Sequence, residues 1–168
     1  MNTTLNFTRN TLLAAVIGAA SLMAILPTAA HAYDVNSTSE LNVDAKHVAV
    51  QGHDVVAYFT VGAPTAGKAE FKASHRGATY HFASAANRDA FKAEPNKYAP
   101  QFGGFCAMGV VLEKKLDGDP EAWHIADGKL YMNVNKDVQK KWLEDVPGNL
   151  VKANAAWPEI KTKAPKDL

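Results

Sequence analysis

The sequence predicts an α+β fold: two antiparallel β-hairpins, each followed by a helix, packed as one small domain. Three observations predict it. The turn dipeptides Arg76-Gly77 and Asp127-Gly128 each separate stretches rich in aromatic and β-branched residues. A helix-capping residue, Ser84 or Asn135, follows the second stretch of each pair. Gly77, Tyr80, Ser84 and Phe91 also answer to Gly128, Tyr131, Asn135 and Trp142 at a constant spacing of 51 residues. These positions have plain roles as turn glycine, strand aromatic, helix cap and helix anchor. Convergence on a hairpin-then-helix unit explains them as well as duplication does.

Residues 1–32 stand apart from that domain. The first ten are polar, with Arg9 the only charge, and 11–26 form an apolar run. Ala30-His31-Ala32 then offers small residues where a signal peptidase reads. A secretory signal peptide is expected, cleaved after Ala32, with Tyr33 as the mature start and the periplasm as destination. An uncleaved anchor is the rival, but the run is shorter than the ~20 residues a span needs. Arg9 has no neighbouring arginine, which speaks against a twin-arginine signal.

Without the leader, Lys plus Arg falls from 18 to 17 and equals the 17 Asp plus Glu. A neutral chain lacks the electrostatic footprint of a nucleic-acid binder. No stretch of 33–168 reads as a membrane segment. Cys106 is the single cysteine, so no internal disulfide forms. A lone thiol in an oxidising compartment is buried, ligated or reactive.

Residues 33–47 are polar and read as an extended arm, and 48–160 as the domain. Within it, 48–50 is a short strand candidate and 51–54 a turn. Residues 55–59 are either a strand or a buried apolar segment, and 61–68 form a loop. With Arg76-Gly77 as a two-residue turn, Phe71 is expected opposite Phe82 and Ala73 opposite Tyr80, with Lys72 and His81 on the other face. A helix over 85–94 should end at Pro95, and a loop over 96–104 should deliver Phe105 and Cys106. Asp127-Gly128 suits a type I′ turn that pairs Ile125 with Leu130, His124 with Tyr131 and Trp123 with Met132. A helix from Lys136, capped by Asn135 and carrying Asp137 in its first turn, should bury Val138, Trp142 and Leu143 and end at Pro147-Gly148. A short helix over 150–156 and a mobile tail over 161–168 complete the expectation.

Five segments carry a family resemblance: Gly52-His53-Asp54-Val55-Val56-Ala57-Tyr58-Phe59; Gly77-Ala78-Thr79-Tyr80-His81-Phe82-Ala83-Ser84; Asn87-Arg88-Asp89-Ala90-Phe91; Pro95-Asn96-Lys97-Tyr98-Ala99-Pro100; and Gly103-Gly104-Phe105-Cys106-Ala107. Together they resemble the YHS domain family, and more narrowly its exported members, the YHS domain-containing (seleno)proteins. The resemblance spans about 48–157. It implies a metal-binding module of a kind found beside heavy-metal and copper transport. It also implies that a residue replaced by selenocysteine in some members, inferred to be at the Cys106 position, is a metal ligand or a redox group. It supplies no reaction. Metal-transport members carry cysteines early in the domain and at the strand-to-helix junction. Here 54–58 and 82–87 hold none, which excludes a cysteine-rich zinc site.

Each candidate residue has a functional and a bland reading. Cys106 and Met108, as strand neighbours, would present two soft sulfurs to copper; alternatively both fill the core. His81 sits away from Tyr80 and Phe82, as a ligand or as a surface histidine. His53 beside Asp54 has the carboxylate proximity that orients metal ligands, although adjacent residues often point apart. His124 opposite Tyr131 is a further candidate. Asp54 and Tyr58 are supporting residues, Asp54 equally suited to bracing its loop. Three readings follow. The first is a copper-binding protein with Cys106 as anchor and one or two of His53, His81 and His124, with Met108, beside it. The second is a thiol-dependent oxidoreductase, which needs a depressed Cys106 pKa. The third is a structural or interaction module with Cys106 in its core. Partners expected are a metal ion and a periplasmic or membrane protein.

Overall fold

Both hairpins form at the turns the sequence marks. In the computed structural model, which describes residues 33–168, β1 (Lys68–His75) pairs antiparallel with β2 (Ala78–Phe82), and β3 (Asp119–Ala126) with β4 (Lys129–Asn133). The leader and the cleavage point after Ala32 lie outside the described residues. Both central residues of each turn have positive φ: 52° and 91° at Arg76 and Gly77, 49° and 69° at Asp127 and Gly128. That is the type I′ geometry whose twist matches the strands. Trp123–Met132, His124–Tyr131 and Ile125–Leu130 pair as expected, as do Ala73–Tyr80 and Lys72–His81. The Phe71–Phe82 pair does not form. An irregularity between Lys68 and Lys72 adds residues to β1, so Lys68 faces Phe82, while Phe71 still packs on the core.

Among the described residues the α-helices are α1 (Ala57–Thr60), α2 (Ala85–Ala93), α3 (Pro95–Tyr98), α4 (Ala107–Val111), α5 (Lys136–Glu144) and α6 (Val146–Ile160). Ser84 Oγ accepts from Asn87 N at 3.2 Å and Asn135 Oδ1 from Val138 N at 2.9 Å, so both predicted caps are made. Residues 55–59 are the buried alternative, leading into α1 and not a strand. Val48 and Ala49 make only isolated bridges and Val50 opens a 3-10 turn, while 96–104 contain α3 and a 3-10 turn (Gln101–Gly104) instead of an open loop. Leu143 is 44% exposed, because the inward stripe of α5 narrows to Trp142. Pro147-Gly148 starts α6 instead of ending α5. Pro needs no donor in a first turn, and Asp145 Oδ1 accepts from Gly148 N at 2.9 Å.

The repeat extends well beyond the four matched positions. β1, β2 and α2 recur as β3, β4 and α5 at the same spacing of 51, strand irregularity included. Upstream, Val50, Gln51 and Gly52 have φ of 51°, 50° and 78°; Phe102, Gly103 and Gly104 repeat them at 53°, 62° and 87°. The units diverge at the end, where one continues into four-residue α3 and the other into fifteen-residue α6.

β4 is the wall between two cores. Leu130 and Met132 face the first, with Val55, Val56, Tyr58, Tyr80, Phe82 and Phe91. Tyr131 faces the second, with Trp142, Phe102, Val110 and Ile160. The period-two alternation of a strand makes one short segment serve both.

The arm and tail are both fastened by buried Lys115. Its ammonium donates to the carbonyls of Ser39 (2.8 Å), Lys161 (2.9 Å) and Lys163 (2.8 Å) and lies 4.8 Å from the Phe105 ring centre. The tail expected to be mobile is therefore tied in, with Ala164 buried and Lys166 N donating to Val35 O at 3.0 Å.

Gly67 lies where only hydrogen fits. A Cβ there would sit 2.5 Å from the His81 carbonyl carbon and 2.6 Å from Gly52 O. Gly67→Ala should lower stability by about 2 kcal/mol or more through overpacking. Gly62, with φ of +71° and open space around it, should lose only about 1 kcal/mol as Gly62→Ala. Thermal melts of the two variants check the order.

Candidate functional site

Asp54 is fully buried and accepts from four donors. Its Oδ1 takes Val56 N (2.9 Å) and Ala57 N (3.3 Å), and its Oδ2 takes Ala83 N (2.8 Å) and Asn87 Nδ2 (2.7 Å). It therefore joins the α1 start, the β2 end and the first turn of α2. Tyr58 is buried too. Its hydroxyl donates to Pro120 O at 3.0 Å and its ring meets Trp123, tying the first unit to the second.

Cys106 occupies the equivalent place in the second unit. Its N–H donates to Leu116 O at 2.9 Å, as Asp54 N donates to Thr65 O at 2.8 Å. Its sulfur accepts from Gly109 N at 3.2 Å at the start of α4, and the S–H lies 3.8 Å from Asn133 Oδ1. The expectation that Cys106 and Met108 are strand neighbours facing one way is thus corrected. Cys106 caps α4, and Met108 lies inside that helix, half-buried against the second core. Cys106 is fully buried. Burial pushes its thiol above the ordinary value, against the opposing pull of the Gly109, Val134 and Met108 N–H groups. Thiol chemistry at neutral pH needs the opposite shift.

The histidines fall elsewhere. His53 and His81 line one cavity of about 260 Å³, together with Gly52, Gly67 and Asp44. His53 is placed by the end of the first 3-10 turn (Val50–Gly52) and a bridge to Ala66. Its Nδ1 lies 3.2 Å from Val50 O and donates to that carbonyl, which leaves Nε2 as the ring nitrogen not engaged by the backbone. His81 comes from β2. Burial, and then Lys72, hold its imidazole below the usual pKa, with Asp44 opposing. The close approach at Gly67 lets the 62–67 strap lie against His81 and form the cavity wall. Cys106, Met108 and His124 do not line this cavity. His124 stays opposite Tyr131 on the second hairpin.

The site offers two protein ligands with a carboxylate near by. Among the described residues no group of three or more His, Cys, Asp or Glu is placed to hold a metal ion. Two imidazoles fit a low-coordinate copper or nickel ion better than a closed four-ligand zinc centre.

The second unit supplies an internal comparison. Positions equivalent to His53 and His81 are Phe105 and Met132, both buried, and Gly118 repeats Gly67 by pressing on Gly104 O. The framework accepts apolar residues at both places. Histidines in the first unit are therefore not a folding requirement.

Residues 56–102 match the family model of the YHS domain. The chain carries a YHS domain. Metal binding is the property ascribed to that family. The YHS stretch includes α1, the first hairpin, α2 and α3, with His81 inside it, while His53 precedes it and Cys106 follows it. No curated protein and no solved structure matches the chain. No described helix is long and apolar enough to cross a membrane.

Sequence reasoning passed over three residues that the structure brings into play. Asn133, fully buried, accepts from Met108 N at 3.4 Å and contacts the Cys106 sulfur; a lone Asn ending a strand carries no distinctive signal. Asp44 read as part of a polar arm. Gly67 read as one loop glycine among several, although its match with Gly118 at the same 51-residue spacing marks it out.

Two outcomes check this description. Asp54→Ala leaves buried donors unpaired and should cost about 3 kcal/mol or more in a denaturant melt. Iodoacetamide should label Cys106 far more slowly in native buffer than in urea. Equal rates, read by mass spectrometry, would show that the thiol is not enclosed.

Proposed function

We propose that this protein is a periplasmic copper-binding YHS protein that holds its ion between His53 and His81. One observation carries the reading: two imidazoles share a cavity at framework positions where the second unit has Phe105 and Met132. His53 turns its Nδ1 to a backbone carbonyl, the usual way a protein orients a ligating imidazole. A neutral His81 needs no deprotonation before it binds. Copper is favoured over zinc because two nitrogen ligands satisfy Cu(I), while Asp44 near by adds a hard oxygen for Cu(II). The export expected from the leader supports a role in periplasmic metal handling. Cys106 has the role of a sulfur counterpart to Asp54, a cap inside the second unit, in place of the anchor ligand first expected.

The experiment is a Cu(I) titration of the mature chain under anaerobic, reducing conditions, alongside His53→Ala, His81→Ala and Cys106→Ser. Each histidine variant should lose at least about tenfold in affinity, and Cys106→Ser should bind as wild type does. If Cys106→Ser alone abolished binding, sulfur would be the anchor and this assignment would be wrong. Absence of binding in wild type would remove copper from the account.

A further inference from the structure

A second cavity, of about 360 Å³, opens where the two units meet and the arm and α6 close over them. Its size is at the lower end for a small-molecule site. Its rim is cationic. Arg76, from the tip of the first hairpin, and Lys129, from the second, both line it, and Glu40 is the only acid in the lining. Glu40 is already paired, through Oε2 to Arg76 at 3.2 Å and through Oε1 to Lys161 at 2.9 Å. Exposed pairs of this kind are weak and exchange readily, so Arg76 can turn to an incoming anion without a large penalty.

The interior joins aromatic surface to one uncommitted hydroxyl. Phe102 and Trp157 form an apolar wall, their ring centres 5.7 Å apart. Tyr80 lines the same cavity and is only 3% exposed, its ring packed 4.7 Å from that of Phe91. Its hydroxyl makes no hydrogen bond to the described residues, yet it is not among the enclosed polar atoms left without partners, so it borders the open space. Burial pushes the phenol up to about 12, so it is a hydrogen-bond donor at any physiological pH. A fixed donor, a guanidinium held only by an exposed pair and an apolar corner of two rings inclined at 61° line one volume.

We propose that this cavity binds a small organic anion built on a single flat ring, its carboxylate on Tyr80 Oη and Arg76 and its ring against Phe102 and Trp157. The site is separate from the His53–His81 cavity and does not depend on copper. Its position at the seam of the units means that an occupant would touch both hairpins, the arm and α6 together.

The test uses sodium benzoate as probe and benzyl alcohol as its uncharged counterpart, with the full mature chain and the indole N–H resonances of its tryptophans as readout. Millimolar benzoate should shift the Trp157 resonance saturably and leave that of fully buried Trp142 in place. Benzyl alcohol should shift it much less. Arg76→Gln, at an exposed position, and Tyr80→Phe, which keeps the ring, should each weaken benzoate about tenfold, with melting temperatures checked first. Weakening in either folded variant supports the site. No saturable shift at Trp157, an equal response to benzyl alcohol, or unchanged affinity in both variants overturns it.

Discussion

The carboxylate of Asp54 is the interaction on which the first unit depends. It lies out of water and meets four N–H donors from three segments, the α1 start, the β2 end and the α2 first turn. Charge-assisted bonds to a buried carboxylate are strong because water cannot compete for the donors. Without that anion, the end of the hairpin and the helix that packs on it would have unpaired backbone groups where they cross. Everything the YHS stretch presents, His81 included, is positioned by that crossing.

The second unit solves the same crossing with sulfur. Cys106 stands at the Asp54 position, accepts at the start of α4 and is completed by Asn133. Sulfur is a weaker acceptor than a carboxylate, and other contacts fill the difference. The second unit has a fifteen-residue α6 to pack upon, where the first has only α3. It is further tied to the chain ends through Lys115. One architecture is thus stabilised by a charged hub in one half and by packing in the other. This gives Cys106 a physical reason to be solitary and buried that requires neither a metal nor a redox partner.

Divergence between the units also explains where chemistry could settle. Phe105 and Met132 pack inward, while His53 and His81 face a cavity walled by the Gly67 strap. The seam between the units is another place where a group is left uncommitted, the Tyr80 hydroxyl.

Much of the local architecture was legible in the chain. Arg76-Gly77 and Asp127-Gly128 determine turns because few residues tolerate two positive φ values in succession, and Ser84 and Asn135 determine helix starts because their side chains satisfy orphan N–H groups. The YHS resemblance was legible for the same reason, since its segments are mostly such local signals. The Phe71–Phe82 register was not, because a strand irregularity leaves no fixed residue signature. The fate of the tail was not, because it hangs on a single lysine 46 residues away from Lys161 in the chain. Nor was the grouping of candidate ligands: adjacency in sequence suggested Cys106 with Met108, while packing put Cys106 in the core and paired His53 with His81. Sequence by itself determined the elements, since caps and turns act over a few residues. Only the tertiary structure decided which side chains share a cavity, since that depends on how two hairpins a repeat apart press on one shared strand.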